Sequence, residues 1–293
     1  LHKCLQNYYE GKDWTEPINE VRLELDKVFE EERADWANLP DELYRIMKSY
    51  LLNYRASDSR LKTLATEYQF DIPIGEHHYK GTIDWVYQEE NGDIWIADHK
   101  TVKIIPALEN LFMDLQTAFY YHVAKLGVIP GVDASKVRGI VFNHIKTKPP
   151  TKPQILKKGG MSRAFIDTDV ASYFAEVKAQ GLDPEDYKEM VDKLKDNMFF
   201  RRVKLPVTPK TLEILISELQ VTLDQIQHLS DEYKIKGKKS ACLFPRNMMK
   251  NRCEWDCEYS KLCFSELSGA NIQGIIDNDY ETKEARYDDE ESE

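Results

Sequence analysis

Residues 79–101 read YKGTIDWVYQEENGDIWIADHKT, and this stretch decides the fold. It holds two runs rich in Val, Ile and Trp on either side of Asn91-Gly92, which is the strongest short-range signal for a β-hairpin. Side chains alternate between the two faces of a strand. The alternation puts the following residues on one face of the second strand: Ile94, Ile96, Asp98 and Lys100. The stretch therefore predicts a hairpin whose second strand ends in a carboxylate beside an ammonium group.

The two hairpin strands each carry a carboxylate near the same end. Asp84 lies on the first strand and can come within a few ångströms of Asp98 on the second. Two converging carboxylates attract a hard divalent cation such as Mg²⁺, and Lys100 beside them can orient or help deprotonate a water. These groups suffice for metal-assisted hydrolysis of a phosphodiester. The alternative is that both carboxylates only pair with nearby lysines, because a bare D-x-K tripeptide is common.

The elements around the hairpin predict a mixed α/β core. A helical N-terminal part gives way to a strand at 66–72, and the hairpin follows. A helix at 108–126 carries Gln116 and Tyr120 at i and i+4, on one face. A further strand at 136–145 precedes helices at 168–180, 185–197 and 209–237. We divide the chain into four parts: an N-terminal helical segment (1–60), a core with a helical insertion (61–206), a helix with a Cys-rich segment (207–270) and an acidic tail (271–293).

Composition limits the partners without deciding them. The chain of 293 residues has 42% hydrophobic residues and a net charge of -11, which supports a folded core and argues against nonspecific binding of nucleic acid. Local basic clusters could still contact phosphates. The candidates for this contact are Arg201, Arg202 and the segment 146–158. No apolar run approaches the roughly 18 residues of a membrane span, so we expect a cytoplasmic protein.

Cysteines concentrate in the last quarter of the chain. The five are Cys4, Cys242, Cys253, Cys257 and Cys263. In a cytosolic protein this clustering favours ligation of a metal or a cluster over disulfides. The last three need a fourth ligand, either Cys4 or Cys242, to complete a four-thiolate site. Zinc suits such a site as well as an iron–sulfur cluster does, and free buried cysteines are the remaining interpretation.

The hairpin and helix together resemble the PD-(D/E)XK nucleases, specifically their RecB-like branch. The matching motifs are Gly81-Thr82-Ile83-Asp84, Asp98-His99-Lys100-Thr101 and Gln116-Thr117-Ala118-Phe119-Tyr120. The resemblance implies a restriction-endonuclease-like core with a mixed central sheet flanked by helices. It implies that Asp84, Asp98 and the backbone carbonyl of His99 hold Mg²⁺ or Mn²⁺, while Lys100 assists the attacking water. Gln116 and Tyr120 would contact the nucleic-acid backbone or brace the site, and Glu67 would supply an additional acid.

The cysteines extend the resemblance to RecB, AddB and the CRISPR-associated adaptation nucleases. Those relatives hold a [4Fe-4S] cluster with one N-terminal and three C-terminal cysteines. Cys4 precedes an aromatic pair, as in the first helix of that family, so the resemblance favours Cys4 over Cys242 as the partner of Cys253, Cys257 and Cys263. It implies a stand-alone DNA exonuclease of phage or bacterial type in recombination, repair or phage DNA metabolism, with a recombination or replication protein as a possible partner.

Three other functions fit part of the pattern. A structure-specific endonuclease could use the same core, a catalytically silent DNA-binding module could keep the cluster for stability, and a zinc-dependent interaction protein would be colourless. One departure bears on the number of metals. Many RecB-like nucleases carry a metal-site histidine on an N-terminal helix, whereas His2, His77 and His78 are not on a convincing interior helix here. We therefore expect that histidine to be absent, with a carboxylate such as Glu20 or Glu24 in its place or with a weakly held second metal. This leaves a two-metal mechanism in doubt and a one-metal mechanism intact.

Overall fold

The chain is organised around a mixed sheet of five strands in the order β1-β2-β3-β4-β5. The computed structural model describes residues 1–29, 33, 36–75, 77–107, 115–236, 253 and 257–281. The strands are β1 (Lys62–Ile74), β2 (His77–Gln88), β3 (Ile94–Val102), β4 (Val137–Lys146) and β5 (Phe200–Pro206). Neighbours are antiparallel except β3 and β4, which are parallel.

Helices flank this sheet and complete the predicted mixed α/β architecture. They are α1 (His2–Tyr9), α2 (Glu16–Leu25), α3 (Leu39–Asp58), α4 (Leu115–Lys125), α5 (Val170–Ala179), α6 (Glu189–Leu194) and the first half of α7 (Pro209–Lys236). Two further helices of the described residues, α8 (Ser260–Leu267) and α9 (Gln273–Asp279), belong to a separate unit of the chain. Short 3₁₀ turns occur at Ala134–Lys136 and Pro184–Tyr187. No helix among the described residues is long and apolar enough to cross a membrane.

The predicted hairpin is confirmed as β2 and β3. Gln88 pairs with Ile94, and Gly92 in the turn has φ +88°, a left-handed conformation that glycine adopts without steric penalty. Strand β3 continues through the segment containing α4 into the parallel strand β4. Because the strands are parallel, β3 and β4 end at the same edge of the sheet, and the polar residues that close β3 lie at that edge.

Two apolar layers cover the two faces of the sheet. Alternation along β3 sends Ile96 into a cluster with Phe119 of α4 and Phe142 of β4, and it sends Trp95 into a cluster on the opposite face with Trp85. Helices α1, α2 and α3 form a further cluster with the ends of β4 and β5. The hairpin is therefore buried on both faces, which fixes the positions of the side chains at its end.

Strand β5 was not expected from sequence. Residues 147–199, between β4 and β5, carry the helices expected in this part of the chain and have an apolar cluster of their own around Tyr173, Tyr187 and Met190. The chain divides into two compact units, 1–224 and 225–293. In the second unit Tyr259 stacks on Tyr280 with ring centroids 5.5 Å apart. The four-part division proposed from sequence stays a prediction.

Candidate metal and catalytic site

The hairpin brings the two predicted carboxylates to one end of the sheet. Trp85 pairs with Ala97, so one further residue along each strand sets Asp84 opposite Asp98. The backbone N–H of His99 donates a hydrogen bond of 2.7 Å to Oδ2 of Asp84, which ties the first strand's carboxylate to the second strand. The pairing of β2 with β3 therefore places the two carboxylates opposite each other at the same level of the sheet, and their convergence on one cation stays a prediction.

A histidine joins this site, contrary to the expectation from sequence. His2 is the first residue of α1, and its Nδ1 lies 3.7 Å from Oδ2 of Asp84. One ligand atom each of His2, Glu67 and Asp84 lies within 4.8 Å of the others. The prediction that the N-terminal histidine is absent is wrong. It failed because the contact joins α1 to β2, and nothing near His2 in the sequence marks Asp84 as its neighbour.

The protonation states of His2, Asp84 and Glu67 depend on one another. The hydrogen bond to Asp84 raises the pKa of His2 above its ordinary value of 6.5, although burial opposes the shift. Burial also opposes ionisation of Asp84, but His2 and the His99 N–H overcome it and lower the pKa of the carboxyl. Burial, and then the negative charge of Asp84, raise the pKa of Glu67. A cation at this point would relieve the repulsion between the two carboxylates.

Glu67 reaches the site through a distortion of β1. Thr66 pairs with Trp85 and Tyr68 with Ile83, so Glu67 falls between the two pairs opposite Asp84. Its φ of +44° is left-handed, a region that costs a non-glycine residue about 1–2 kcal/mol. Strain of this kind concentrates at functional sites, where the surrounding structure holds it in place. The additional acid expected from sequence is therefore present beside Asp84.

A second group of hydrogen bonds surrounds Lys100. Its Nζ lies 3.0 Å from Oδ2 of Asp98 and donates to Oε1 of Gln116. The amide of Gln116 in turn donates to the hydroxyl of Tyr120 over 2.7 Å. All four of these sequence-predicted residues are thus joined in one series. Among the described residues, the candidate metal group consists of His2, Glu67 and Asp84 and does not include Asp98. The role of Asp98 as a metal ligand stays a prediction.

The hydroxyl of Tyr120 lies near the carboxylates of Asp98 and Asp84. Burial raises the pKa of its phenol, and the charges of Asp98 and Asp84 raise it further. The hydroxyl therefore stays protonated at neutral pH. Tyr120 is 5% exposed and packs its ring against Phe70, so it is both a core residue and a hydrogen-bond partner of the site.

His99 faces the other side of the sheet, as its position between Asp98 and Lys100 predicts. It is buried, and burial lowers its pKa to about 3, so the ring is neutral. The amide of Asn143 donates to its Nδ1 over 2.8 Å. The same amide lies 2.7 Å from the hydroxyl of Tyr50. His99 is therefore held in place from β4, and with it the peptide N–H that binds Asp84.

A buried arginine completes this network. Arg202 of β5 forms an ion pair with Asp58, and its Nη2 donates to the hydroxyls of Tyr9 over 2.8 Å and Tyr50 over 2.6 Å. The side chains of Arg202 and Asp58 are 15% and 3% exposed. The prediction that Arg202 contacts phosphate is therefore wrong, because its guanidinium is used inside the protein. Arg201 donates to the carbonyl of Pro106.

The network fixes the helix that carries His2. Tyr9 ends α1, and its ring stacks on Trp85 of β2 with centroids 3.7 Å apart. Its hydroxyl lies 2.7 Å from that of Tyr50. Burial raises the pKa of both phenols, so both stay neutral hydrogen-bonding groups. Sequence reasoning missed Tyr9, Tyr50 and Asp58, since their partners lie 41 to 193 residues away and no local pattern marks them.

The cysteines of the described residues are divided between the two units. Cys4 on α1 is buried, and burial raises the pKa of its thiol. Cys253, Cys257 and Cys263 belong to the second unit and are half-buried free thiols. Cys242 lies outside the described residues. The four-thiolate site therefore stays a prediction from spacing and resemblance.

Comparison with known proteins identifies a family. A model of the PD-(D/E)XK nuclease superfamily matches residues 1–264, which span α1, the whole sheet and the Cys-rich segment. No curated protein matches the chain.

Proposed function

The chain belongs to the PD-(D/E)XK nuclease superfamily, and on that premise we propose that it is a DNA exonuclease of the RecB-like branch that uses Mg²⁺ or Mn²⁺. The superfamily assignment indicates a metal-dependent nuclease, a hydrolase that acts on DNA. The observation that supports metal-assisted hydrolysis is the pair of groups at the end of β3. One is His2 with Glu67 and Asp84, and the other runs from Asp98 through Lys100 to Gln116.

The residues present fit a divalent cation. His2, Glu67 and Asp84 offer one nitrogen and two carboxylate oxygens within 4.8 Å of one another. Carboxylate oxygens suit both Mg²⁺ and Mn²⁺, and the imidazole nitrogen suits Mn²⁺ better than Mg²⁺. We propose that these three residues hold the cation, with Asp98 and the carbonyl of His99 as further ligands. When bound, the cation polarises the phosphate and favours formation of hydroxide from water.

Lys100 orients the water in this proposal. An ammonium has three N–H donors. Two are directed at Asp98 and Gln116, so the third can donate to a water or a phosphate oxygen. Asp98 and Gln116 fix the direction of that donor, and Tyr120 fixes Gln116 through its hydroxyl. The lysine acts as a positioned cation, and its location depends on a carboxylate and an amide that are themselves anchored in the core.

Cleavage of labelled DNA tests the assignment. We expect wild-type protein with Mg²⁺ or Mn²⁺ to degrade 5′- or 3′-labelled DNA, and we expect Asp98→Ala and Lys100→Ala to abolish cleavage while retaining DNA binding. Asp133→Ala and Lys136→Ala are the matched controls, because this exposed pair lies at the opposite end of β4. Undiminished cleavage by Asp98→Ala or Lys100→Ala under metal-replete conditions would overturn the assignment.

The exonuclease part of the proposal has its own test. An exonuclease degrades linear single- or double-stranded DNA from its ends and spares a closed circle. A structure-specific endonuclease on the same core would cut the circle, in particular one that contains a flap or a junction. Support for action at ends comes from the RecB-like motifs alone. The same motifs are the basis for proposing a role in recombination, repair or phage DNA metabolism in the cytoplasm.

We also propose a [4Fe-4S] cluster held by Cys4, Cys253, Cys257 and Cys263. The support is the cysteine spacing and the burial of Cys4 on the helix that carries His2. The protein should then be brown, absorb near 400 nm and contain iron and sulfide, whereas zinc in the same ligands would be colourless (an expectation of the family resemblance). Cys4→Ser and Cys242→Ser decide the fourth ligand, because only the ligand variant should lose the absorbance. Intact absorbance in Cys4→Ser would exclude Cys4.

A further inference from the structure

A strongly basic segment leaves the sheet beside the candidate site. Residues 146–165 read KTKPPTKPQILKKGGMSRAF and contain no acidic residue, although the chain as a whole has a net charge of -11. The basic residues of the segment are Lys146, Lys148, Lys152, Lys157, Lys158 and Arg163. So uneven a distribution of charge gives a mostly acidic protein one surface that attracts a polyanion.

Part of this segment folds into a short hairpin, residues 154–162, which we name the basic hairpin. Ile155 bridges to Met161, and the N–H of Leu156 donates to the carbonyl of Gly160 over 2.9 Å. Gly159 and Gly160 have φ of +87° and +83°, which other residues adopt only with strain, so the tip requires these glycines. The tip presents Lys157 and Lys158 to solvent.

The basic hairpin is anchored on the body of the protein. Met161 is 1% exposed, and its N–H donates to the hydroxyl of Tyr187 over 2.9 Å. Arg45 of α3 donates to the carbonyl of Pro150 over 2.7 Å. The N–H of Thr151 donates to the carbonyl of Asp167 over 2.8 Å. The exposed tip therefore projects from a fixed base.

The register of the sheet locates this base relative to the catalytic residues. Lys100 of β3 pairs with His144 of β4, and Val102 pairs with Lys146. The segment therefore leaves β4 two residues beyond the level of Lys100, about 7 Å along the strand and one strand away. The N–H of Thr147 still donates to the carbonyl of Val102 over 3.0 Å. A polyanionic chain that runs along the segment toward the sheet therefore reaches the end of β3.

A cavity of about 180 Å³ lies between α3, α5 and the base of the segment. Three cations line it, Arg45, Lys48 and Lys152, against a single carboxylate, Glu176. Its volume is below the roughly 300–1,000 Å³ of pockets that enclose a drug-sized molecule. A phosphate group of an extended chain is a ligand of suitable size and charge.

The cations of the segment differ in how they are used. Lys148 pairs with Asp167 and Arg163 with Glu189, each at 3.0 Å. Within the described part of the chain, Lys152, Lys157 and Lys158 form no ion pair. Next to them Ile155 and Leu156 are 57% and 49% exposed. This combination suits a single-stranded nucleic acid. Exposed aliphatic side chains can pack against or between its bases, and the neighbouring lysines can neutralise its phosphates.

We propose that the basic hairpin and the cavity at its base dock single-stranded DNA and lead it to the end of β3. Lys152, Lys157 and Lys158 contact phosphates, and Ile155 and Leu156 contact the bases. This inference rests on the proposed function for its choice of ligand. It adds a docking surface outside the hydrolytic centre, built from residues that take no part in the chemistry.

Binding is measured without divalent metal, so that cleavage does not interfere. The anisotropy of a labelled single-stranded oligonucleotide gives Kd at several salt concentrations for wild type and for the triple variant Lys152→Ala/Lys157→Ala/Lys158→Ala. Loss of three phosphate contacts should reduce the slope of log K against log[salt] by about 2, since each contact on a single strand contributes about 0.7. At low salt we expect Kd to rise by about tenfold or more.

The matched control removes three other lysines of the same insertion, Lys188→Ala/Lys193→Ala/Lys195→Ala. Lys188 pairs with Glu185, Lys195 with Asp192, and Lys193 donates to the carbonyl of Arg163. The control changes net charge equally and should leave the salt slope close to that of wild type. An unchanged slope in the first triple variant, or an equal loss in the control, overturns the proposal.

A second variant separates base contact from charge. Ile155→Ser/Leu156→Ser should weaken binding several-fold without changing the salt slope, and unchanged affinity refutes the base contact. Polyglutamate that competes as well as DNA would assign the surface to an acidic protein and overturn the proposal. Because binding is read without metal, its failure is distinct from failure of the nuclease assignment, which is read from cleavage. In a working nuclease the first triple variant should raise KM and leave kcat unchanged.

Discussion

The buried pair of Arg202 and Asp58 offers the sharpest test of how the site is held. Arg202→Met keeps most of the side-chain volume and removes the charge. Asp58, with 3% of its side chain exposed, then keeps a negative charge in the interior without its guanidinium partner. The hydroxyls of Tyr9 and Tyr50 lose a donor at the same time. All of these partners lie between α1, α3 and the sheet.

The expected loss is large because the remaining charge cannot reach solvent. Removing one partner of a buried ion pair costs about 3–5 kcal/mol in free energy of unfolding. In a unit of this size each kcal/mol lowers Tm by about 2–4 °C, so Arg202→Met should lower Tm by about 6–20 °C. The exposed pair of Arg22 and Asp41, 2.9 Å apart, gives the comparison. Arg22→Met should cost less than about 1 kcal/mol, since both side chains are largely in solvent.

Denaturant unfolding of both variants provides the measurement. Arg202→Met/Asp58→Asn should regain part of the lost stability, because the second substitution removes the uncompensated charge. Where Arg202→Met is still folded, Mn²⁺ should bind more weakly than to wild type, since Tyr9 no longer fixes the helix of His2. A loss of stability no greater than that of Arg22→Met would refute the reasoning.

Three further predictions concern the site itself. The raised pKa of His2 means that its pairing with Asp84 stabilises the metal-free protein fully below pH 6.5 and is lost as pH rises through that higher pKa. Calorimetry should therefore show that Mn²⁺ binds more tightly at pH 8 than at pH 6 and that binding releases more protons at pH 6 than at pH 8, and His2→Asn should flatten both dependences. Glu67→Gly removes the left-handed strain, so metal-free protein should gain up to about 1 kcal/mol in free energy of unfolding while Mn²⁺ affinity falls; lower stability would contradict this. Tyr120→Phe releases the amide of Gln116 and should lower kcat more than it raises KM, and an unchanged kcat would exclude a positioning role.

The hairpin was predictable because its signals are local. Asn91-Gly92 marks the turn, and the alternation of Ile94, Ile96 and Asp98 fixes which face is buried. The same alternation predicted that His99 faces away from Asp98. Residues four apart on a helix share a face, so the contact of Gln116 with Tyr120 on α4 also followed from spacing. Within the described part of the chain, these contacts are as expected.

Strand β5 was not predictable from its own residues. It contains Arg201, Arg202 and Lys204, which resemble a solvent-exposed basic cluster when their partners are unknown. In the structure Arg202 is neutralised by Asp58, and Lys204 pairs with Glu89. Ion pairs with residues distant in sequence thus allow this charged segment to form a strand of the sheet. The position of His2 was missed for a related reason, since nothing near it in sequence marks Asp84 as its neighbour.

The bonds of Arg202 connect residues that are far apart in the order of synthesis. The arginine bonds to Tyr9 across 193 residues and to Asp58 across 144. A ribosome makes the N-terminal segments first, so α1 and the β2–β3 hairpin are complete long before the arginine that fixes them exists. Contacts of such separation are slow to form. The bonds from Arg202 to Tyr9 therefore form only after β5 has been made, so this part of the anchoring of the helix of His2 is the last to be supplied.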